Sequence, residues 1–285
     1  MGADSAADGY VLLDVLSRLG EERFSGTLRA EGARVRGTVV LSSGLLIAAD
    51  TPVAPGVESL LVGSGRISRE DWTDAFNRAS PAGRMRAELV ERGLFGDAAA
   101  QVVTQTAAMD AVFALALADV FACVPDPVKA DPLMPLVPGM DVGRVVRETR
   151  RRLVVAAEWH ELGLRARAQP RATSAAPPID EGRAEILARV NGRRTAGDLA
   201  FLLGRGLFAV MSDMALLCRD GQIAFDQSQP ATASALSWFG DPDDMSLVAP
   251  GPLEAEARDL RAHAGSADSA PRHRPISRRG GRGAR

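Results

Sequence analysis

A chain of 285 residues that is 46% hydrophobic but only 5% aromatic can build substantial cores, assembled from Leu, Val and Ala rather than from large rings. The formal net charge of −2 conceals a division: residues 271–285 hold six arginines and no acid, and setting those aside leaves −8 on residues 1–270. Two cysteines are too few for a disulfide framework or a thiolate metal cluster, and no apolar stretch follows a basic start, so a cytoplasmic location off the membrane is expected.

In chain order, YVLLDVLSRL (residues 10–19) spaces Leu12, Val15, Leu16 and Leu19 for one face of a short helix, with Gly20 as its stop. Residues 26–30, 37–41 and 45–49 read as three strands of an antiparallel meander, separated by Glu31-Gly32 and by Ser42-Ser43-Gly44. Residues 56–62 return to helix. LLVGSGRIS and ELVERGLFG then align at an offset of 28 residues, matching Leu61 with Leu89, Val62 with Val90 and Gly65 with Gly93. Each copy reads as a helix end, a glycine turn and a new helix, the new helices covering 69–79 and 97–124. Both cysteines, Cys123 and Cys218, fall in apolar runs of helical pattern and read as buried thiols.

Five prolines between residues 125 and 139 forbid a helix there, and Leu133, Met134, Leu136 and Val137 predict that this segment lies extended over the preceding module. Residues 141–164 resume as a long amphipathic helix with Arg144, Arg147, Arg150, Arg151 and Arg152 on its polar side. Its apolar residues, Val145, Val146, Leu153, Val154, Val155 and Trp159, must pack either on the first module or along a dimer seam. Residues 167–178 have linker composition. A second small module follows: a helix halted at Asn191-Gly192, a helix capped by Thr195, a helix over 208–218 and a short strand over 221–225, the order of a winged helix.

No residues gather for catalysis. His160, His263 and His273 are scattered, and no phosphate loop, serine elbow or metal-spaced acid cluster occurs; DPDD at 241–244 lacks the remaining ligands of a calcium loop. The chain is therefore expected not to be an enzyme and to need no cofactor. Candidate nucleic-acid contacts are Arg205 and Arg219, flanking the would-be recognition helix, and Arg278, Arg279 and Arg282 in the tail. That helix carries Asp213 and Asp220 and few donors, so nucleic-acid binding is the weaker of two expectations.

LLDVLSRLG, SGTLRAEG, RGTVVLSSGLLIAAD and PGVESLLVGSG together resemble the PATAN domain family of bacterial signalling proteins, with Gly26, Leu28, Gly37, Gly44 and Ala48 at the family's turn and strand positions over roughly residues 10–124. The resemblance implies a non-enzymatic interaction module. Relatives occur with response-receiver domains, and some act on surface-motility machinery; this chain has no receiver domain. RMRAELVERGLFGDAAAQVVTQ (residues 84–105) is faintly similar to the cyclic di-GMP-binding motif of type II secretion ATPases. Arg86 stands there in place of the glycine that close nucleotide approach needs.

The expected architecture is α+β: a PATAN-like helix–meander–helix unit with helical repeat (10–124), a Pro-rich segment (125–140), an amphipathic helix (141–166), a linker (167–178), a winged-helix-like module (179–226) and a mostly disordered Arg-rich tail (227–285). The expected function is a regulatory adaptor that binds a protein partner, with a homodimer allowed. A DNA-binding transcriptional regulator is the alternative.

Overall fold

The computed structural model describes residues 11–33, 35–79, 84–118, 120–165, 168–173 and 180–225, all within the first of the chain's two units, Met1–Pro242. The expectations for residues 226–285 lie outside the described residues.

Helix α1 (Val11–Glu21) buries Leu12, Leu13, Leu16 and Leu19. It does not stop at Gly20. Its end is set by Arg23, at φ 52, whose amide bonds to Gly20 O (3.1 Å) while Phe24 N bonds to Leu19 O (2.9 Å). Gly20 serves packing instead, since a Cβ there would stand 3.0 Å from Val142 Cβ. Strands β1 (Gly26–Gly32), β2 (Arg36–Ser42) and β3 (Leu45–Asp50) form the expected antiparallel meander. Alternation places Leu28 and Ala30 of β1 in the core and Arg29 and Glu31 outside. Ser43 and Gly44, both at positive φ, make the two-residue hairpin between β2 and β3.

The meander is the middle of a larger sheet. The order is β4-β1-β2-β3-β5, with β4 (Val120–Asp126) antiparallel to β1 and the short β5 (Met140–Asp141) beside β3. The expected helix over 97–124 is thus corrected. Helix α5 (Asp97–Leu117) ends at Leu117, Ala118 turns extended, and the β-prone VFACV joins the sheet, so Cys123 sits in a strand. Between β4 and β5 the Pro-rich segment crosses from one edge of the sheet to the other. Ala130 N donates to Thr27 Oγ1 (2.8 Å) and Leu136 N to Ile47 O (2.8 Å). Met134 and Leu136 are buried as expected, whereas Val137 is exposed.

The repeat is structural. Helices α2 (Val57–Val62) and α4 (Met85–Glu91) end in the same left-handed glycine turn, Gly65 at φ 71 and Gly93 at φ 66. Gly65 N bonds to Val62 O and Arg66 N to Leu61 O; 28 residues on, Gly93 N bonds to Val90 O and Leu94 N to Leu89 O. Helices α3 (Arg69–Ala79) and α5 (Asp97–Leu117) then start in register, Trp72 N on Ser68 O and Ala100 N on Gly96 O. The two leucines that receive these bonds, Leu61 and Leu89, are fully buried. Helix α5 has the length and apolarity of a membrane-crossing helix, but most of it is buried under protein.

Helix α6 (Val142–Glu161), capped by Asp141 on Arg144 N, packs Val142, Val145, Val146 and Trp159 into the same core as α1 and α5. Its apolar side faces the first module, and Val154 is left exposed. Helices α7 (Glu181–Arg189), α8 (Ala196–Leu203) and α9 (Leu207–Arg219) follow, then β7 (Ile223–Ala224). Thr195 and Asp198 close a reciprocal capping box at the start of α8. The expected linker contributes a strand, β6 (Arg171–Ala172), which pairs antiparallel with β7. The hydrophobic core runs without interruption from α1 through α5 and α6 to α9. At the α2–α8 contact, Gly204 (φ 57) lies so close that a Cβ would stand 2.0 Å from Ser64 N.

Candidate functional site

Polar chemistry concentrates where α5, α6 and the start of α9 meet. Asp110, 2% exposed, lies within the otherwise apolar, buried C-terminal half of α5, residues 107–117. Its Oδ1 accepts from Arg152 Nη1 at 2.7 Å, and the amides of Leu207 and Phe208 at the start of α9 also act on the carboxylate. Burial raises its pKa above the ordinary value, opposed by Arg152 and those amides. Arg152 in turn binds Glu148 (Nε to Oε1, 3.0 Å) and lies 4.6 Å from the ring centre of Phe208. That ring stacks edge-on against Phe113 (5.2 Å) and tilted against Trp159 (5.3 Å). One guanidinium therefore ties three helices, and a buried carboxylate faces the positive end of the third. Gly206 is required there, since a Cβ would stand 2.7 Å from Asp110 Oδ2.

On the solvent side of this knot a cleft of about 440 Å³ opens between α5 and α6. Arg144, Arg147, Arg151 and Arg152 line it with Glu148 and, from α5, Gln105. Glu148 is held down at about 2, first by the hydrogen bond from Arg151 and then by Arg152. Among the described residues, the side chains of Arg144 and Arg147 make no ion pair and no hydrogen bond. The arginine pattern along this helix is visible in the sequence. Asp110 and the cleft are not, because an acid within an apolar run gives no sign of its partner 42 residues away.

The nucleic-acid candidates fall elsewhere. Arg205 is partly buried, donating to Gly182 O (3.0 Å) and pairing with Asp213. Arg219 is exposed at the end of α9 and reaches Glu158 at 3.4 Å. The two are not brought together with the arginine cleft, and Arg278, Arg279 and Arg282 lie outside the described residues. The exposed positions of α9 are Ala209, Leu216 and Arg219. Arg86, singled out in the cyclic-dinucleotide likeness, is spent on Asp97 (2.8 Å) and Gln101 (3.0 Å).

Burial, with Arg165 nearby, lowers the pKa of His160, while His263, His273 and residues 241–244 lie outside the described residues. Burial also pushes the Cys123 thiol up to about 11 and raises that of Cys218, which makes both poor nucleophiles. Among the described residues no three His, Cys, Asp or Glu side chains are grouped to hold a metal ion.

A second surface stands out on the sheet edge. Phe121 is 67% exposed, Val124 57% and Val128 70%, all within or just beyond β4, and the Arg29–Asp126 pair (2.7 Å) lies beside them. Pro125 and Pro127 interrupt the edge and remove amides that an added strand would need. This edge therefore offers side chains rather than backbone. No protein-family model, curated protein or solved structure matches this chain.

Proposed function

We propose that this chain is a non-enzymatic, cytoplasmic regulatory adaptor of bacterial signalling that works by binding another protein through its N-terminal, PATAN-like module. The observation that carries the proposal is the exposed set Phe121, Val124 and Val128 at the blunted sheet edge. An exposed aromatic beside aliphatic neighbours is costly in water and is the composition of an interface centre. Helices α7–α9 and β7 support a winged-helix-like scaffold, used here as a packing platform: α9 turns Ala209, Leu216 and Arg219 outward, a set poor in groups for reading base edges.

The test compares wild type with a Phe121→Asp/Val124→Asp variant of equal thermal stability. A partner captured by wild type and rebuilt from purified components should lose at least about tenfold in affinity with the variant, since truncating an interface centre costs ~1–2 kcal/mol or more. Unchanged affinity would remove the module from the interface. Tight, sequence-dependent retardation of duplex DNA over a salt series would instead favour the transcriptional regulator.

A further inference from the structure

We propose that the cleft between α5 and α6 is a binding site for a small polyphosphorylated anion, of the di- or triphosphate class. Four arginines line it with the carboxylate of Glu148, and one of them, Arg152, is also paired with Asp110 beneath. This lies on a chain whose residues 1–270 are formally acidic, so the positive field is local rather than a property of the whole surface.

Arg144, Arg147 and Arg151 stand at i, i+3 and i+7 on one helix and mark out a span of about 10 Å. Three forks in a row match a run of phosphoryl groups, each of which can accept a bidentate pair of hydrogen bonds. Arg144 and Arg147 have no internal acceptor among the described residues, so a ligand would not have to break an existing pair to reach them. Arg151 would have to leave Glu148, which it now holds through two bonds of 2.8 Å.

The inner lining of the cleft is mixed, polar from Gln105 and the arginines and apolar from Val145 and two methionines. Met109 and Met140 are themselves buried. A volume of about 440 Å³ falls in the range of small-molecule sites and is too small for a folded partner. Cationic forks in a row suit a ligand whose charge is spread over several phosphoryl groups. Because Arg152 belongs both to the cleft and to the Asp110–Phe208 knot, an occupant would touch the group that anchors the start of α9.

Calorimetric titration of the full chain with pyrophosphate and with ATP tests the assignment, with heparin as a macromolecular polyanion. Both small probes should bind. Arg144→Gln and Arg147→Gln should each weaken both about tenfold or more, as loss of a charge-assisted hydrogen bond implies, while Arg66→Gln, an exposed arginine remote from the cleft in sequence, should leave binding unchanged. Glu148→Gln removes the competing carboxylate and should tighten binding severalfold, a sign that general misfolding could not produce. The proposal is overturned if neither small probe binds at millimolar concentration, if heparin alone binds, if the cleft arginine variants bind like wild type, or if Glu148→Gln weakens binding. These readouts do not involve Phe121 or a protein partner, so they stand or fall apart from the adaptor reading.

Discussion

Replacing Asp110 tests the helix junction most directly. Asp110→Ala leaves Arg152, whose side chain is only 16% exposed, with Glu148 as its remaining carboxylate partner. Stranding one member of a buried pair costs about 3–5 kcal/mol, and the surviving Glu148 bond at 3.0 Å argues for the low end of that range. The expected cost is therefore about 3–5 kcal/mol, a large part of the 5–15 kcal/mol typical of a domain. The double variant Asp110→Leu/Arg152→Met removes both charges and keeps similar volume, and it should return to within about 1 kcal/mol of wild type. Urea titrations followed by far-UV circular dichroism, compared at constant slope, give these differences. A loss under about 1 kcal/mol for Asp110→Ala, or a double variant less stable than that single one, would refute the reasoning. Gly206→Ala presses on the same carboxylate from the α9 side, at 2.7 Å, and should lower stability in parallel.

Acid should reveal Glu148. Between its unfolded value near 4.5 and its folded value of about 2, the unfolded chain takes up a proton there that the folded chain refuses, so its contribution is present above 4.5 and lost as pH falls through that window. Glu148→Gln should flatten the fall of the urea midpoint over those pH values, and an unaltered slope would show that the arginine contacts do not persist in solution. Gly204→Ala should destabilise by well more than the ~1–2 kcal/mol of a left-handed alanine, because the new Cβ meets Ser64 N, a backbone atom with no room to yield. Hydrogen exchange should then rise first in α2 and α8, and protection equal to wild type would contradict the contact. Thr195→Ala removes the capping box of α8 and should cost about 1 kcal/mol in thermal or urea unfolding, with no effect if α8 is held by packing alone.

Much of the fold is legible because local chemistry encodes it. Gly65 and Gly93 announce two identical helix stops, Thr195 a helix start, and Ser43-Gly44 a hairpin, since each needs a backbone geometry or a hydrogen-bond acceptor that few residues supply. The errors arise where no local punctuation exists. From Ala111 to Val124 the residues are apolar throughout apart from Asp119, with no glycine or proline, so pattern alone carried the helix into β4. Pairing with β1 decides that the last of these residues are strand. Arg23 likewise ends α1 in place of Gly20, because the close approach of Val142 claims the glycine for packing.

The periodic helices, the meander, the repeat and the arginine stripe of α6 follow from neighbours within a few residues and are written in local pattern. That β4 and β5 extend the sheet, that α7–α9 share one core with the first module, and that Arg152 finds Asp110 emerge from long-range packing. Those outcomes depend on contacts between segments tens of residues apart. Their energy comes from excluding water between surfaces that meet only once the chain has folded.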